Sequence, residues 1–172
     1  MRMMLPQYLG LSGGIAALAA DQISKAIVVA NKSVLADGIL VFPSFNLVYL
    51  RNDGVTFGLL GGVPWWALSA LALGIVVWLS VLMVRSQRRL EAVAYGIIIG
   101  GALGNILDRL RYQAVPVFLD LYYGLYHWPS FNLADVAIVC GAALLLWEGL
   151  RAPNGDPEIR GKDHREGNNT GG

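Results

Sequence analysis

The sequence predicts an all-α polytopic membrane protein, with four transmembrane helices and an outward-facing loop region that holds some β structure. Composition and the placement of the apolar residues predict it. Hydrophobic residues make up 55% of the 172-residue chain and charged residues only 15%, where a soluble domain carries roughly 25% charged residues. Mean hydropathy is +0.52. The apolar residues gather in several long runs, and a helix that crosses a bilayer needs about 20 mostly apolar residues.

Four runs meet or approach that length, at about 6–30, 64–84, 92–107 and 132–150. The second has no charge between Pro64 and Val84. The third is short before it meets Asp108 and Arg109, so its end is expected at the membrane interface. Short flanking segments rich in Lys and Arg stay on the cytoplasmic side. Arg85, Arg88 and Arg89 lie between spans two and three, Arg2 precedes span one, and Arg151, Arg160, Lys162 and Arg165 follow span four. Both termini are therefore expected in the cytoplasm, with the connections at 31–63 and 109–131 facing outward. Ala17-Leu18-Ala19-Ala20 resembles the small-residue end of a cleavable signal peptide, but the apolar run resumes after Lys25.

The four spans and their loops form one unit, residues 1–151. From 152 to 172 the chain turns polar and rich in Gly and Asn, a composition that buries no core. That tail is expected to be disordered and cytoplasmic. Gly10 with Gly14, and Gly100 with Gly104, are G-x-x-x-G faces that permit close helix packing.

The outer connections carry their own signals. Leu40, Phe42, Phe45, Leu47 and Tyr49 alternate loosely around Pro43-Ser44, which predicts short strands. Asn52-Asp53-Gly54 is a turn signal. Tyr122, Tyr123, Tyr126, Trp128 and Phe131 form an aromatic cluster of the kind found where membrane meets water.

Several chemistries find no support. No basic patch with interleaved aromatics points to nucleic acid. No Cys/His cluster has metal-ligand spacing, and no cofactor is called for. The lone Cys140 reads as a small buried hydrophobe. His127 beside Trp128, and His164 in the tail, read as surface or interfacial histidines.

The carboxylates carry the functional question, because ionisable groups in or beside spans are costly. Glu148 has Arg151 nearby in sequence. Asp21 precedes Lys25 by four residues, the favourable order for an ion pair within a helix. Asp108 adjoins Arg109, with Asn105 one turn back on the same face, and Asp53 sits in a turn. These have structural explanations. Asp120 lies within Val117-Phe118-Leu119-Asp120-Leu121-Tyr122, with no basic residue nearer in sequence than Arg111. Asp135 stands in the first turn of span four, sharing a helix face with Asn132. Two such carboxylates, if they converge, share one proton. They then do general acid–base work on an amide: one activates water and the other protonates the carbonyl oxygen. Two unrelated structural aspartates fit the same spacing, and so does a small proton-coupled transporter or channel subunit. A structural or assembly role is the third reading.

Five segments, in order across residues 15–145, resemble lipoprotein signal peptidase, also called signal peptidase II. Asp21-Gln22-Ile23-Ser24-Lys25 is similar to the family's D-Q-x-S-K, and Asn52-Asp53-Gly54-Val55-Thr56-Phe57-Gly58 to its N-x-G-x-x-F. Gly100-Gly101-Ala102-Leu103-Gly104-Asn105-Ile106-Leu107-Asp108-Arg109 is similar to G-G-x-x-G-N-x-x-D-R. Phe118-Leu119-Asp120-Leu121 stands where the family has V-x-D-F, and Phe131-Asn132-Leu133-Ala134-Asp135 is its F-N-x-A-D.

The resemblance implies an aspartic endopeptidase of the bacterial cytoplasmic (inner) membrane that removes signal peptides from diacylglyceryl-modified prolipoproteins. It implies Asp120 and Asp135 as the catalytic pair. Asn52, Gly54, Asn105, Arg109 and Asn132 would support that pair or bind substrate, while Asp21, Lys25 and Asp108 remain structural polar residues. It further implies contact with membrane lipid, inhibition by globomycin-like cyclic peptides, and a small periplasmic sheet over residues 39–58, with the site near the outer face. Val55-Thr56 replaces the small pair, often Ala-Ala, usual in the family, and Phe118 and Leu121 replace the common flanks of the first aspartate.

Overall fold

The computed structural model describes residues 4–54 and 63–151. Val55 to Gly58, the 152–172 tail with His164, and Arg2 lie outside the described residues.

Helices α1 (Leu5–Ala30), α2 (Trp65–Arg85), α3 (Arg89–Tyr112) and α4 (Leu133–Arg151) are each long and apolar enough to cross a membrane. Half of α3's apolar window is buried within the protein, against 11% for α4. α3 is therefore the central helix, with α1, α2 and α4 packed around it. The ends opposite the sheet are tied together by polar contacts. Gln7 Nε2 at the start of α1 donates to the Val84 carbonyl at 2.9 Å, near the end of α2. Arg88, just before α3, pairs with Glu148 near the end of α4 at 3.5 Å. Glu148 thus serves Arg88 rather than Arg151, whose guanidinium lies 4.4 Å from the Trp147 ring centroid.

The α1–α3 contact explains the glycine spacing. A Cβ on Gly14 would lie 2.8 Å from the Gly96 carbonyl oxygen, and one on Gly10 2.6 Å from that of Ala92. Only hydrogen fits at that approach, and backbone packing of this kind drives association where lipid is as apolar as leucine.

Two expectations require correction. The helix that holds span three does not stop at residue 107 but runs to Tyr112, where Gln113 closes it in the left-handed conformation, φ 56°. The helix continues because Asp108 is buried against Lys25 rather than facing lipid uncompensated. Cys140 is exposed on α4 rather than buried. An apolar run in such a helix is matched to lipid as much as to a protein core.

Strands β1 (Ile39–Phe42), β2 (Phe45–Asn52), β3 (Val115–Tyr123) and β4 (Tyr126–His127) form one antiparallel sheet in the order β1-β2-β3-β4. The β1–β2 hairpin turns at Pro43-Ser44, where Ser44 has φ 76°. β3 pairs β2 with Asn46 opposite Asp120 and Asn52 opposite Val115. The connection between α3 and α4 therefore holds a nine-residue strand that periodicity did not disclose. Val115 to Phe118 are all buried, and a strand covered on both faces reads as a continuous apolar run without alternation. Val28, Leu35 and Phe118 form a buried cluster with Leu47, Tyr49, Leu119 and Leu133 against it. That cluster seats the sheet on the adjoining ends of α1 and α4.

Candidate active site

Helix α4 begins with a reciprocal cap. Asn132 precedes the first helical residue, and its Oδ1 accepts from the Asp135 backbone N–H at 3.0 Å. The Asp135 carboxylate returns the contact, accepting from the Asn132 N–H at 3.2 Å. This is a capping box with Asn and Asp in place of Ser and Glu. Asp21 adds a third bond, its Oδ1 accepting from the Ala134 N–H at 2.9 Å. Two carboxylates thus meet the positive end of the helix dipole.

Beneath that cap lies a buried ionic cluster. Lys25 Nζ reaches Asp21 Oδ2 at 2.8 Å, Asp108 Oδ2 at 2.5 Å and Asn105 Oδ1 at 2.9 Å. All three charged residues are at most 3% exposed. Gln22 Nε2 donates to both carboxylates, at 3.2 Å to Asp21 and 3.3 Å to Asp108. Gly104 makes the room, since a Cβ there would collide with the Asp21 carboxylate. Buried charges are tolerated when paired and fully hydrogen-bonded, and this cluster meets that condition across α1, α3 and α4.

The cluster sets the orientation of Asn105. Its Oδ1 accepts from both Lys25 and Asn132 Nδ2, the latter at 3.2 Å, so its Nδ2 is left to donate to Asp135 Oδ1 at 3.0 Å. Asn132 Nδ2 also donates to the Pro116 carbonyl on β3 at 3.2 Å. Arg109, half-buried in the last turn of α3, donates to the Asn105 carbonyl at 3.4 Å, and its guanidinium interacts electrostatically with Asp135 and Asp108.

Asp120 comes from the other side. It is 5% exposed on β3, next to the bridge in which Leu119 and Phe131 exchange backbone hydrogen bonds at 2.9 and 3.0 Å. That bridge laces β3 to the residue preceding Asn132, so Asp120 and Asp135 stand on adjoining elements. Asn46 Nδ2 donates to Asp120 Oδ2 at 3.0 Å, and His127 Nδ1 lies 3.0 Å from both carboxylate oxygens.

The residues expected from sequence thus fall into groups. Asn105, Asn132, Asp135 and Arg109 meet around the start of α4, resting on Asp21, Lys25 and Asp108. Asn52 lies at the end of β2 away from Asn46, where its Oδ1 accepts from the Gly54 N–H at 3.0 Å in a side-chain-closed turn.

Asn46 and His127 escaped the sequence reading. Asn46 has no local signal. His127, read as a surface histidine, did have one. Gly124 (φ 60°) turns the chain and pairs Tyr122 with His127. Asp120 is then the diagonal neighbour on the same face, within reach of a long side chain.

Known proteins resemble this chain in sequence and in fold. A family model described as signal peptidase (SPase) II matches residues 14–151. The chain belongs to the signal peptidase II family. Members of that family are lipoprotein-processing proteases. The chain is 46% identical over 141 residues to a lipoprotein signal peptidase of Klebsiella pneumoniae, covering 79% of this chain and 84% of the relative. It is 48% identical over 124 residues to one of Yersinia pestis, covering 69% and 73%. A solved bacterial membrane enzyme superposes with a TM-score of 0.76 at 25% identity, covering 89% of this chain and 94% of that one. A second gives 0.72 at 26% identity, covering 83% and 93%. The segments that resemble the family's motifs lie on these elements. Asp21–Lys25 lies on α1, Gly100–Arg109 on α3, Phe118–Leu121 on β3, and Phe131–Asp135 at the cap of α4.

Proposed function

We propose that this chain is an intramembrane aspartic endopeptidase that removes signal peptides from diacylglyceryl-modified prolipoproteins, with Asp120 and Asp135 as its catalytic pair. One observation carries the assignment of residues. Both carboxylates stand on elements joined by the Leu119–Phe131 bridge, and each is held by two hydrogen-bonding groups from its surroundings. Family membership, rather than the carboxylates themselves, favours a peptidase over a proton-coupled transporter.

The chemistry needs one ionised and one protonated carboxyl group. The ionised group takes a proton from water as the oxygen attacks the scissile carbonyl carbon, and the protonated group gives its proton to the carbonyl oxygen. The resulting tetrahedral diol collapses, the C–N bond breaks, and the amine leaves with a proton returned from the pair. Neither a metal nor a covalent intermediate enters. Asn105 holds Asp135 from α3, Arg109 braces the Asn105 carbonyl, and Lys25, itself held by Asp21 and Asp108, holds the Asn105 side chain.

The orientation follows from charge. The Arg85, Arg88 and Arg89 cluster marks the α2–α3 link as cytoplasmic, which puts both termini there and the sheet on the periplasmic side of the inner membrane. A lipid-modified substrate embedded in the outer leaflet would bring its scissile bond to the dyad at that level. Globomycin-like cyclic peptides are the expected inhibitors.

The test is cleavage of a diacylglyceryl-modified prolipoprotein by purified protein in detergent. Wild-type protein is expected to cut it, while Asp120→Asn and Asp135→Asn, folded as judged by thermal melting, are expected to lose cleavage. Near-normal turnover in either variant removes that aspartate from the pair.

A further inference from the structure

The end of the bundle opposite the sheet carries a charge imbalance that the peptidase reading does not use. Arg85, the last residue of α2, is exposed there, as are Arg88, Arg89 and Arg151. Among the described residues only Glu91 and Glu148 oppose them, and both are half-buried. Each glutamate is already engaged. Glu91 Oε2 accepts from the Ser86 hydroxyl at 2.6 Å, and its Oε1 from the Tyr95 hydroxyl at 3.3 Å. Glu148 pairs with Arg88 at 3.5 Å, and Arg151 rests over the Trp147 ring. The guanidinium groups of Arg85 and Arg89 have no partner among the described residues.

Those two arginines flank a link that is held in place. Only Ser86, Gln87 and Arg88 separate α2 from α3. Ser86 is buried, and its N–H donates to the Leu82 carbonyl at 2.9 Å. Its hydroxyl oxygen accepts from the Arg88 N–H at 3.3 Å. Gln7 Nε2 on α1 donates to the Ser86 carbonyl at 3.4 Å. So short a link between two spans stays at the membrane surface, which keeps Arg85 and Arg89 at the level of the lipid headgroups.

We propose that Arg85 and Arg89 form a seat for the phosphate of an anionic phospholipid headgroup. A guanidinium presents a fork of donors that matches phosphate oxygens, and a surplus of arginine at the bilayer surface favours lipids of net negative charge. A zwitterionic lipid offers the same phosphate but brings its own cation towards the unopposed arginines. Free inorganic phosphate shares the chemistry, yet it lacks the acyl chains that hold a headgroup at this level. Bracing of the link lowers the ordering cost of binding, because the backbone that carries both arginines is already fixed. The inference does not rest on the catalytic pair. Only the choice of leaflet, the cytoplasmic one, follows from the orientation given above.

The test is lipid retention by the full chain, read by native mass spectrometry from neutral detergent in about 0.15 M ammonium acetate. The protein is equilibrated with equimolar phosphatidylglycerol and phosphatidylcholine of matched acyl chains. Wild type is expected to prefer phosphatidylglycerol about tenfold or more, at about fivefold for each arginine near such a surface. Replacing both residues, Arg85→Gln with Arg89→Gln, is expected to bring the preference to within about twofold of parity. Arg151→Gln removes a charge from the same end and is expected to stay within about threefold of wild type.

Equal retention of the two lipids by wild type overturns the proposal, and that comparison needs no variant to fold. An unchanged preference in the double variant overturns it too, as does an equal loss in Arg151→Gln, which would mean diffuse charge rather than a seat. Displacement of bound phosphatidylglycerol by excess inorganic phosphate would assign the seat to the free anion instead of the lipid.

Discussion

Lys25 Nζ donates to Asn105 Oδ1 at 2.9 Å, and that contact decides which way the Asn105 amide faces. With its oxygen taken by Lys25 and Asn132, the amide presents N–H to Asp135. A cation on α1 thereby orients a carboxylate on α4 through an amide on α3, without touching that carboxylate.

Replacing Asn105 by Leu keeps the volume and removes the donor to Asp135. We expect turnover of prolipoprotein to fall about tenfold or more, the order expected for losing a hydrogen bond to a charged group. Steady-state cleavage kinetics in detergent check it, and an unchanged kcat would show that Asp135 needs no amide beside it.

Lys25→Met leaves Asp21 and Asp108 facing each other without their cation. Both are buried, so the loss is expected to be about 3–5 kcal/mol, seen as a large drop in melting temperature in detergent micelles. The triple variant Asp21→Asn, Lys25→Met, Asp108→Asn is expected to melt higher than Lys25→Met alone. Once no charge remains in the cluster, the penalty for burying one disappears. A triple variant less stable than the single one would mean that the cluster's hydrogen bonds matter more than its charge balance.

Two glycine substitutions set close packing against open space. Gly14→Ala drives a methyl group into the Gly96 carbonyl oxygen at 2.8 Å, while a Cβ on Gly74 meets nothing within 4 Å. Gly14→Ala is expected to cost about 1–3 kcal/mol, and Gly74→Ala to be neutral or slightly stabilising through helix propensity. Paired thermal melts decide, and equal melting temperatures would refute the tight α1–α3 contact.

Asn132→Ala removes the cap of α4 together with the link to Pro116 and Asn105. We expect about 1 kcal/mol or more of lost stability from the cap. Turnover should fall further than that loss explains, because the same cap anchors Asp135. Activity measured well below the melting temperature separates the two effects.

Much of this architecture was legible in the chain itself. The four helices follow from apolar runs, because a bilayer accepts backbone only when its hydrogen bonds are closed within the segment. The Asp21–Lys25 pair follows from spacing within one helix, and the β1–β2 hairpin from loose alternation about Pro43-Ser44. Each of these signals is local, connecting residues a turn or a strand apart. What they could not disclose is where charges and polar groups from distant segments meet. Asp108 looked like the end of a span until Lys25, 83 positions away, proved to neutralise it within a helix that runs on to Tyr112. Asp21 looked like half of an intrahelical pair, yet it also caps α4 from 113 positions away. Asn46 and His127 come beside Asp120 only through strand pairing. The sequence by itself determined which segments enter the membrane, because that transfer depends on each segment's own composition. The tertiary structure decided which partners each carboxylate meets, because a buried charge is defined by the groups that reach it from distant segments.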